Sequence, residues 1–205
     1  METDRTERKW IVVRIDGKIA AVSTDYRMLA RISEHLSLRD ARKPEPGTIY
    51  GEICATAVGF DEIWKLRQEV SWEDLMLFGT DFQKKVWRKL WELTHTEGTA
   101  TRPVSYSDFA ELCQNRAGVR AVAHAIGLNP ISVIIPCHLV IPKESIDKIK
   151  DIHKKAETTI FKGDDLCLDS ILSDNSIDFG EYSLGKSLKR KIISEEMKSQ
   201  ITFCI

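Results

Sequence analysis

An apolar run between two prolines, ended by a Cys-His pair, is the stretch that most constrains how this chain folds. Residues 131–135 read Ile-Ser-Val-Ile-Ile, with Pro130 before the run and Pro136 after it. The β-branched residues favour a strand, and each proline disfavours helix for the residue before it. We therefore predict one buried strand or extended segment over 131–135, with Cys137 and His138 at the point where it ends.

The Cys137–His138 pair combines the residue types of a nucleophile and its base. A cysteine becomes nucleophilic when a neighbouring group takes its proton, and an imidazole titrates in the range that this requires. Adjacent side chains of an extended segment point to opposite faces, so either the backbone turns at Cys137 or a water relays the proton. The alternative is a structural role, because most buried free cysteines are small hydrophobic residues.

The composition is that of a soluble globular protein. The residues are 42% hydrophobic and 30% charged. A length of 205 residues is enough for one large domain or two small ones. The sequence has no apolar run that could span a bilayer and no apolar signal core near its beginning, so we expect an intracellular protein. The net charge of -1 excludes a molecule that is basic as a whole, but it leaves room for a basic face.

The cysteine pattern favours reduced thiols. The chain has five dispersed cysteines, Cys54, Cys113, Cys137, Cys167 and Cys204. An odd number without metal-ligand spacing is typical of an intracellular protein without disulfides. No cluster of Cys and His predicts a zinc site in the N-terminal part.

The N-terminal part reads as a small scaffold of strands and helix. Asp16-Gly17 is the dipeptide favoured in type I′ hairpin turns. The predicted elements are two strands within 10–23, a helix over 26–36, a loop over 41–51 and a strand over 53–60. We predict a scaffold domain over residues 1–76 and a second domain over 77–205.

Two short helices separated by a tight turn are predicted in the second domain. A longer helix precedes them, and Thr80 with Gln83 fits a capping box at its start. Ser105 with Asp108 is a weaker cap signal for the first short helix. The predicted inward positions of the three helices are Phe82, Val86, Leu90 and Leu93; Phe109, Leu112 and Cys113; and Val119, Val122, Ala123 and Ile126. The pair of short helices has the outline of a helix-turn-helix, a pattern that many helical pairs share.

Arg120 is predicted to face away from the apolar stripe of the second short helix. Its neighbours on that side are the small residues Ala117, Gly118 and Ala121. A helix this thin could enter a DNA groove with one long cation as a wedge. The alternative is a solvated arginine.

The segment 146–178 is predicted to be a flexible insertion. It begins basic, becomes acidic, and its hydrophobic residues show no sustained period. We therefore expect it to bury little surface and to tolerate shortening. A loop containing Tyr182-Ser183 and a C-terminal helix with Glu195 and Glu196 follow it.

The Pro-Cys-His-x-Val motif at 136–140, with Asn129-Pro130 and the helical pair before it, resembles the O6-alkylguanine-DNA alkyltransferases (methylated-DNA–protein-cysteine methyltransferases). The resemblance covers about Phe78 to Val140 and resumes from about Tyr182 to Glu196. It implies an α/β fold, with a small RNase H-like N-terminal domain and a mainly helical domain that contains the helix-turn-helix and active site. It also implies DNA repair by direct reversal, in which the protein irreversibly takes a methyl or alkyl group from O6 of guanine, or from O4 of thymine, without a metal or other cofactor.

The resemblance assigns the reacting residues. It makes Cys137 the alkyl acceptor, His138 the group that takes the thiol proton through a water, and Glu196 the residue that orients His138. The pattern Lys-x-x-Ile-Ile-x-x-Glu selects Glu196 over Glu195. It also predicts that Asn129 holds the turn between the second short helix and the active site.

The same resemblance assigns the DNA contacts and the pocket. It makes Arg120 the side chain that replaces the flipped nucleotide, and Tyr106 the residue that bonds the guanine and helps to turn the phosphate. Arg116 and Ala121 are further DNA contacts. The remaining pocket positions are Ile126, Val140, Tyr182 and Ser183. The resemblance implies that the protein is a monomer whose partner is double-stranded DNA with O6-alkylguanine, bound through the minor groove. It implies no membrane partner. The expected location is the nucleus if the source is eukaryotic, and otherwise the cytoplasm.

Three departures from the family pattern concern the pocket more than the nucleophile. Leu139 stands where arginine is usual, Ser132 where proline is frequent, and Phe179-Gly180-Glu181 replaces a glycine-rich approach to the tyrosine. Two other functions stay open. One is an alkyltransferase-like protein that binds lesions without efficient transfer, and the other is a hydrolase that uses the Cys-His pair.

Overall fold

The computed structural model describes residues 9–25, 30, 32, 53–96, 102–158, 171 and 173–201. Contacts group the chain into two compact units, of which unit 1 contains Met1–Lys84 and Leu128–Ile135, and unit 2 contains Lys85–Gly127 and Pro136–Ile205. The fold is mixed α/β, with two small sheets and, among the described residues, six α-helices. None of the described helices has the length and apolar character that a membrane span requires. The division into independently folding domains at residue 76 stays a prediction.

Unit 1 is built on a three-stranded antiparallel sheet in the order β2-β1-β3. The strands are β1 (Trp10–Ile15), β2 (Lys18–Ser23) and β3 (Ile53–Val58). Asp16 and Gly17 both have positive φ, at 52° and 78°, as a type I′ turn requires. The predicted hairpin and third strand are therefore confirmed.

The hairpin supplies much of the core of unit 1, since every residue of β2 after Lys18 is buried. Ile15 and Ile19 are fully buried, and Ile15 packs with Ile32 in one apolar cluster. Helix α1 (Phe60–Glu69) follows β3 and buries Ile63. The predicted helix over 26–36 lies outside the described residues except at 30 and 32, and the loop over 41–51 lies outside them entirely.

The predicted strand over 131–135 is wrong beyond its first two residues. The backbone at its start pairs with Val22, whose amide donates to Pro130 O at 3.0 Å and whose carbonyl accepts from Ser132 N at 3.0 Å. Val133 then has φ 72°, a conformation that a β-branched residue adopts only under strain. The whole run is buried as predicted, but it turns back on itself instead of extending.

Unit 2 consists mainly of helices, with one two-stranded parallel sheet. Most of α2 (Asp81–His95) lies in it, and strand β4 (Val104–Ser105) pairs with strand β5 (Val140–Ile141). Its other helices are α3 (Tyr106–Leu112), α4 (Val119–Gly127), α5 (Lys143–Thr158) and α6 (Lys186–Ile201), and its 3₁₀ turns are Arg116–Gly118 and Cys137–Leu139.

The predicted helix starts are confirmed. Thr80 N donates to Gln83 Oε1 at 2.8 Å and Gln83 N donates to Thr80 Oγ1 at 3.2 Å, which is the predicted capping box. Ser105 Oγ accepts from Asp108 N at 3.1 Å and caps α3. Both helices therefore begin where the sequence places them.

Two of the predicted inward positions are wrong. Phe82 is 37% exposed and Leu112 is 50% exposed. On α2 the tryptophans Trp87 and Trp91 are buried beside Val86 and Leu90. The indole of Trp87 also donates to Ala125 O at 2.8 Å.

The prediction that residues 146–178 form a flexible insertion with little buried surface is wrong for residues 146–158, which lie in α5, whereas residues 159–170 and 172 lie outside the described residues. Ile146, Ile149 and Ile152 recur every three residues along this helix and join an apolar cluster of Ile141, Ile149, Ile171, Ile177, Phe179 and Ile193. These isoleucines form a narrow apolar stripe with charged residues on both sides. The helical period of the hydrophobic residues is therefore difficult to see when the whole segment 146–178 is considered together. Since the segment supplies part of this core, shortening it is expected to destabilise unit 2.

Candidate active site

The backbone turns at Cys137. Residues Cys137–Leu139 form a 3₁₀ turn, closed by a hydrogen bond from Leu139 N to Pro136 O at 3.1 Å. The structure therefore has the backbone turn, and a relay of the proton through a water stays a prediction. Cys137 is 5% exposed and His138 is fully buried.

A carboxylate bonds the buried histidine. Glu196 on α6 lies with Oε1 at 2.7 Å from His138 Nε2, and it is itself only 4% exposed. Such a carboxylate fixes the orientation of the ring and stabilises its protonated form. The transfer of a proton from Cys137 to this ring stays a prediction.

Lys189 and Tyr106 lie within the electrostatic field of Cys137. The buried Lys189 Nζ donates to Val140 O at 2.8 Å and to Glu181 O at 3.4 Å, and it lies 5.9 Å from the centre of the Tyr106 ring. Burial lowers the pKa of Lys189 to about 8, against the opposing effect of the charge on Cys137. Burial also raises the pKa of Tyr106, and the charge on Cys137 raises it further.

The burial of Lys189 predicts a pH-dependent stability. Below about pH 8 the folded and unfolded chains both hold the lysine proton. Between that pH and the ordinary lysine pKa of 10.5 only the unfolded chain holds it, so the free energy of unfolding rises with pH. The rise should approach about 3 kcal/mol relative to Lys189→Met, measured by urea unfolding from about pH 7 to about pH 10.5. A difference between the two proteins that does not change with pH would contradict the assignment.

Asn129 closes the buried turn that precedes Cys137 in the chain. Its Oδ1 accepts from Ile131 N at 3.0 Å, and its Nδ2 donates to Ile135 O at 2.9 Å and to Ile131 O at 3.5 Å. One amide therefore satisfies both ends of a backbone turn from which water is excluded. This bonding explains how Val133 is held at positive φ, and why the apolar run does not continue as a strand.

Comparison with known proteins shows what this chain is similar to. The family model for the DNA-binding domain of 6-O-methylguanine DNA methyltransferase matches residues 81–158. A probable methylated-DNA–protein-cysteine methyltransferase of Acanthamoeba polyphaga mimivirus is 49% identical over 72 residues, which are 35% of this chain and 45% of that protein. The crystal structure of the O6-methylguanine-DNA methyltransferase of Pyrococcus kodakaraensis covers 96% of this chain and 95% of that one, at 18% identity and TM-score 0.47.

One relative is similar over enough of its length to decide the family. The methylated-DNA–protein-cysteine methyltransferase of Mycobacterium tuberculosis H37Rv is 35% identical over 122 residues, which are 59% of this chain and 67% of that protein. The chain belongs to the methylated-DNA–protein-cysteine methyltransferase family. It spans less than half of the mimiviral relative.

The structure places five of the twelve site residues predicted from the resemblance to this methyltransferase family in one connected group. Cys137, His138, Glu196, Tyr106 and Val140 all lie in unit 2, linked by the hydrogen bonds and electrostatic effects described above. Among the other pocket positions, Ile126 is 6% exposed, whereas Tyr182 is half-buried and Ser183 exposed. Their roles in binding stay predictions.

The predicted DNA contacts of this family member lie at the surface. Arg120 and Ala121 on α4 are exposed, as are Ala117 and Arg116 in the preceding 3₁₀ turn. The outward direction predicted for Arg120 is therefore confirmed. Arg116 Nη1 lies 4.0 Å from Glu111 Oε1, in an exposed pair that contributes little to stability.

Lys189 was not among the predicted site residues. The available signal was its position seven residues before Glu196 on one helix, since residues two turns apart share a face. The departures at Leu139 and Ser132 are both buried, and Ser132 Oγ has no hydrogen-bond partner among the described residues. In the part of the chain that the structure describes, no group of three or more His, Cys, Asp or Glu side chains is placed to hold a metal ion.

Proposed function

We propose that this protein repairs DNA by taking an alkyl group from O6 of guanine onto Cys137. The sulfur of the Cys137 thiolate attacks the alkyl carbon, the S–C bond forms, and the O6–C bond breaks with its electron pair left on the guanine. The thiol proton passes through a water to His138, and the departing guanine takes up a proton. The thioether is stable, so each molecule acts once.

The observation that supports this proposal is the buried hydrogen-bonded pair of His138 and Glu196. His138 directly follows Cys137 in a tight turn. A thiol at neutral pH is mostly protonated, so transfer needs a base. A histidine fixed by a 2.7 Å bond to a carboxylate is such a base, and burial shields the resulting charge pair from water. Tyr106, whose ring lies near Lys189, is the proposed hydrogen-bond partner of the guanine.

For the DNA, we propose that α3 and α4 act as a helix-turn-helix with α4 in the minor groove. The alkylated base is stacked inside the duplex, so it must be flipped out, at a cost of a few kcal/mol. The small exposed residues beside Arg120 allow close approach, and the Arg120 side chain fills the gap that the base leaves. We further propose that the protein acts as a monomer inside the cell and that unit 1 is an RNase H-like scaffold. O4-alkylthymine in DNA is a second substrate to test.

The direct test is incubation with duplex DNA that contains O6-methylguanine with a labelled methyl group. We expect the label to move onto the protein at one equivalent and to remain there through denaturation. Binding without transfer would indicate a lesion-binding relative, and label released to the solvent with turnover would indicate a hydrolase. Either result would refute the proposed function.

The Arg120→Ala variant tests base flipping. It should slow transfer from O6-methylguanine in duplex DNA by roughly tenfold or more, since part of the flipping cost is no longer offset. Transfer from the free base O6-benzylguanine, which needs no flipping, should be unchanged and serves as the internal control. Equal losses on both substrates would show that Arg120 supports the fold or the pocket instead.

A further inference from the structure

Helix α5 bonds directly to the segment that leads to the Tyr182-Ser183 loop. Ser145 Oγ donates to Asp178 O at 2.6 Å, and Ser145 is only 3% exposed. One turn further along α5, Lys148 Nζ donates to Ser176 O at 2.6 Å and to Ser176 Oγ at 3.2 Å. Two side chains of α5 therefore hold two nearby carbonyls of this segment.

Helix α6 binds the same segment through Arg190. Its Nη2 donates to Ile177 O at 2.9 Å and to Asp174 O at 3.3 Å, and its guanidinium lies 4.8 Å from the centre of the Phe179 ring. Together with the bonds from α5, every backbone carbonyl from Ser176 to Asp178 accepts a hydrogen bond from a helix side chain. The segment is thus held by two helices. Its residues Ile177 and Phe179 also pack in one apolar cluster with residues of both helices.

The held segment then passes closely over Tyr106. Gly180 has φ +81°, and a Cβ there would lie 3.1 Å from Pro142 Cδ and 3.6 Å from Tyr106 Oη. Gly180 N donates to Asp178 Oδ1 at 3.0 Å, which sets the bend. Only a glycine fits this conformation and approach. The next carbonyl, of Glu181, accepts from Lys189.

We infer that α5 is a positioning element of the alkyl-acceptor site, with Ser145 and Lys148 as positioning residues that hold residues 176–181 against Tyr106. This inference rests on the proposed function, because the segment so held leads into the loop that contains the predicted pocket positions Tyr182 and Ser183. Ser145 is the stronger contact, since it is buried, whereas Lys148 is exposed. A purely structural α5 would stabilise unit 2 without affecting how guanine is held.

The test compares variants that remove one bond each. Ser145→Ala should lower the rate constant of transfer at saturating O6-methylguanine duplex by roughly tenfold, the usual worth of one buried hydrogen bond. Ser145→Thr, which keeps the hydroxyl, should restore most of it. Lys148→Met should cost roughly twofold to threefold, whereas Lys150→Met, an exposed lysine of the same helix, should cost nothing.

Two readouts separate positioning from general damage to the fold. Affinity for the duplex should not change, and the alkylation of Cys137 by iodoacetamide, followed by mass spectrometry, should proceed at the wild-type rate, since it needs no guanine. Gly180→Ala reaches the same step directly, because the added Cβ would displace the segment from Pro142 and Tyr106. It should reproduce the slow transfer with normal iodoacetamide reactivity.

The outcomes are distinguishable. If the wild-type protein transfers no label, the proposed function fails and this inference fails with it. If the wild-type protein transfers label and Ser145→Ala does so at the same rate, or loses iodoacetamide reactivity in the same proportion, only the positioning role of α5 is overturned. Slow transfer with unchanged iodoacetamide reactivity and rescue by threonine supports it.

Discussion

Cys137→Ser is expected to take no detectable alkyl group from O6-methylguanine DNA while binding the duplex as tightly as the wild-type protein. A serine hydroxyl is far less acidic than a thiol, so the His138–Glu196 pair cannot generate enough of the attacking anion. The substitution exchanges one small buried side chain for another, so the turn at Cys137 should persist. The measurement is label transfer after long incubation, with duplex affinity measured in parallel.

Cys113 offers a matched control for this experiment. Burial raises the pKa of its thiol to about 11, so it is protonated near neutral pH and unreactive. Cys113→Ser should transfer label at the wild-type rate. Mass spectrometry of the reacted wild-type protein should find the alkyl group on the Cys137 peptide, and its presence on any other cysteine would overturn the assignment.

Glu196→Gln is expected to slow transfer by roughly a hundredfold, by analogy with the loss of groups that orient a reacting histidine elsewhere. The amide keeps the size of the side chain but removes the negative charge that stabilises the protonated ring. The loss should appear in the rate constant at saturating DNA and not in duplex affinity, because the pair is buried. Single-turnover kinetics with increasing duplex concentration separates these two quantities.

The adjacent carboxylate supplies the control. Glu195 is half-buried on the same helix, and His138 bonds Glu196, so Glu195→Gln should leave the transfer rate constant near the wild-type value. Equal losses for the two variants would mean that negative charge near the C-terminal helix matters in general. A large loss for Glu195→Gln alone would show that another conformation of α6 is the active one.

Local signals of the sequence predicted local structure well. The Asp16-Gly17 turn, the Thr80–Gln83 capping box and the Ser105 cap each depend on residues within a few positions of one another, and each is present. The pairing of His138 with Glu196, separated by 58 residues, could not be derived that way. It came from the resemblance of a spaced pattern to a known family.

The failures have physical causes that a linear pattern does not contain. The apolar run over 131–135 looked like a strand because its composition is β-branched, but the side chain of Asn129 competes for the same backbone groups and closes a turn. Leu112 was expected inward, yet it is half exposed at the end of α3. Ser145 gave no signal at all, since its partner is a backbone carbonyl 33 residues away.

Unit 1 is not a continuous piece of the chain. Val22 of its strand β2 forms backbone hydrogen bonds with Pro130 and Ser132. Unit 1 is therefore complete only when residues 128–135 have joined its first 84 residues. During synthesis, which proceeds from the N-terminus, α2, α3 and α4 must leave the ribosome before that segment is available. Strand β2 can therefore bond to residues 130–132 only late in synthesis, and pairing between segments so far apart in the chain slows folding. A chain cut after Lys84 should accordingly lack the segment that bonds to β2 and should not fold as a free-standing domain.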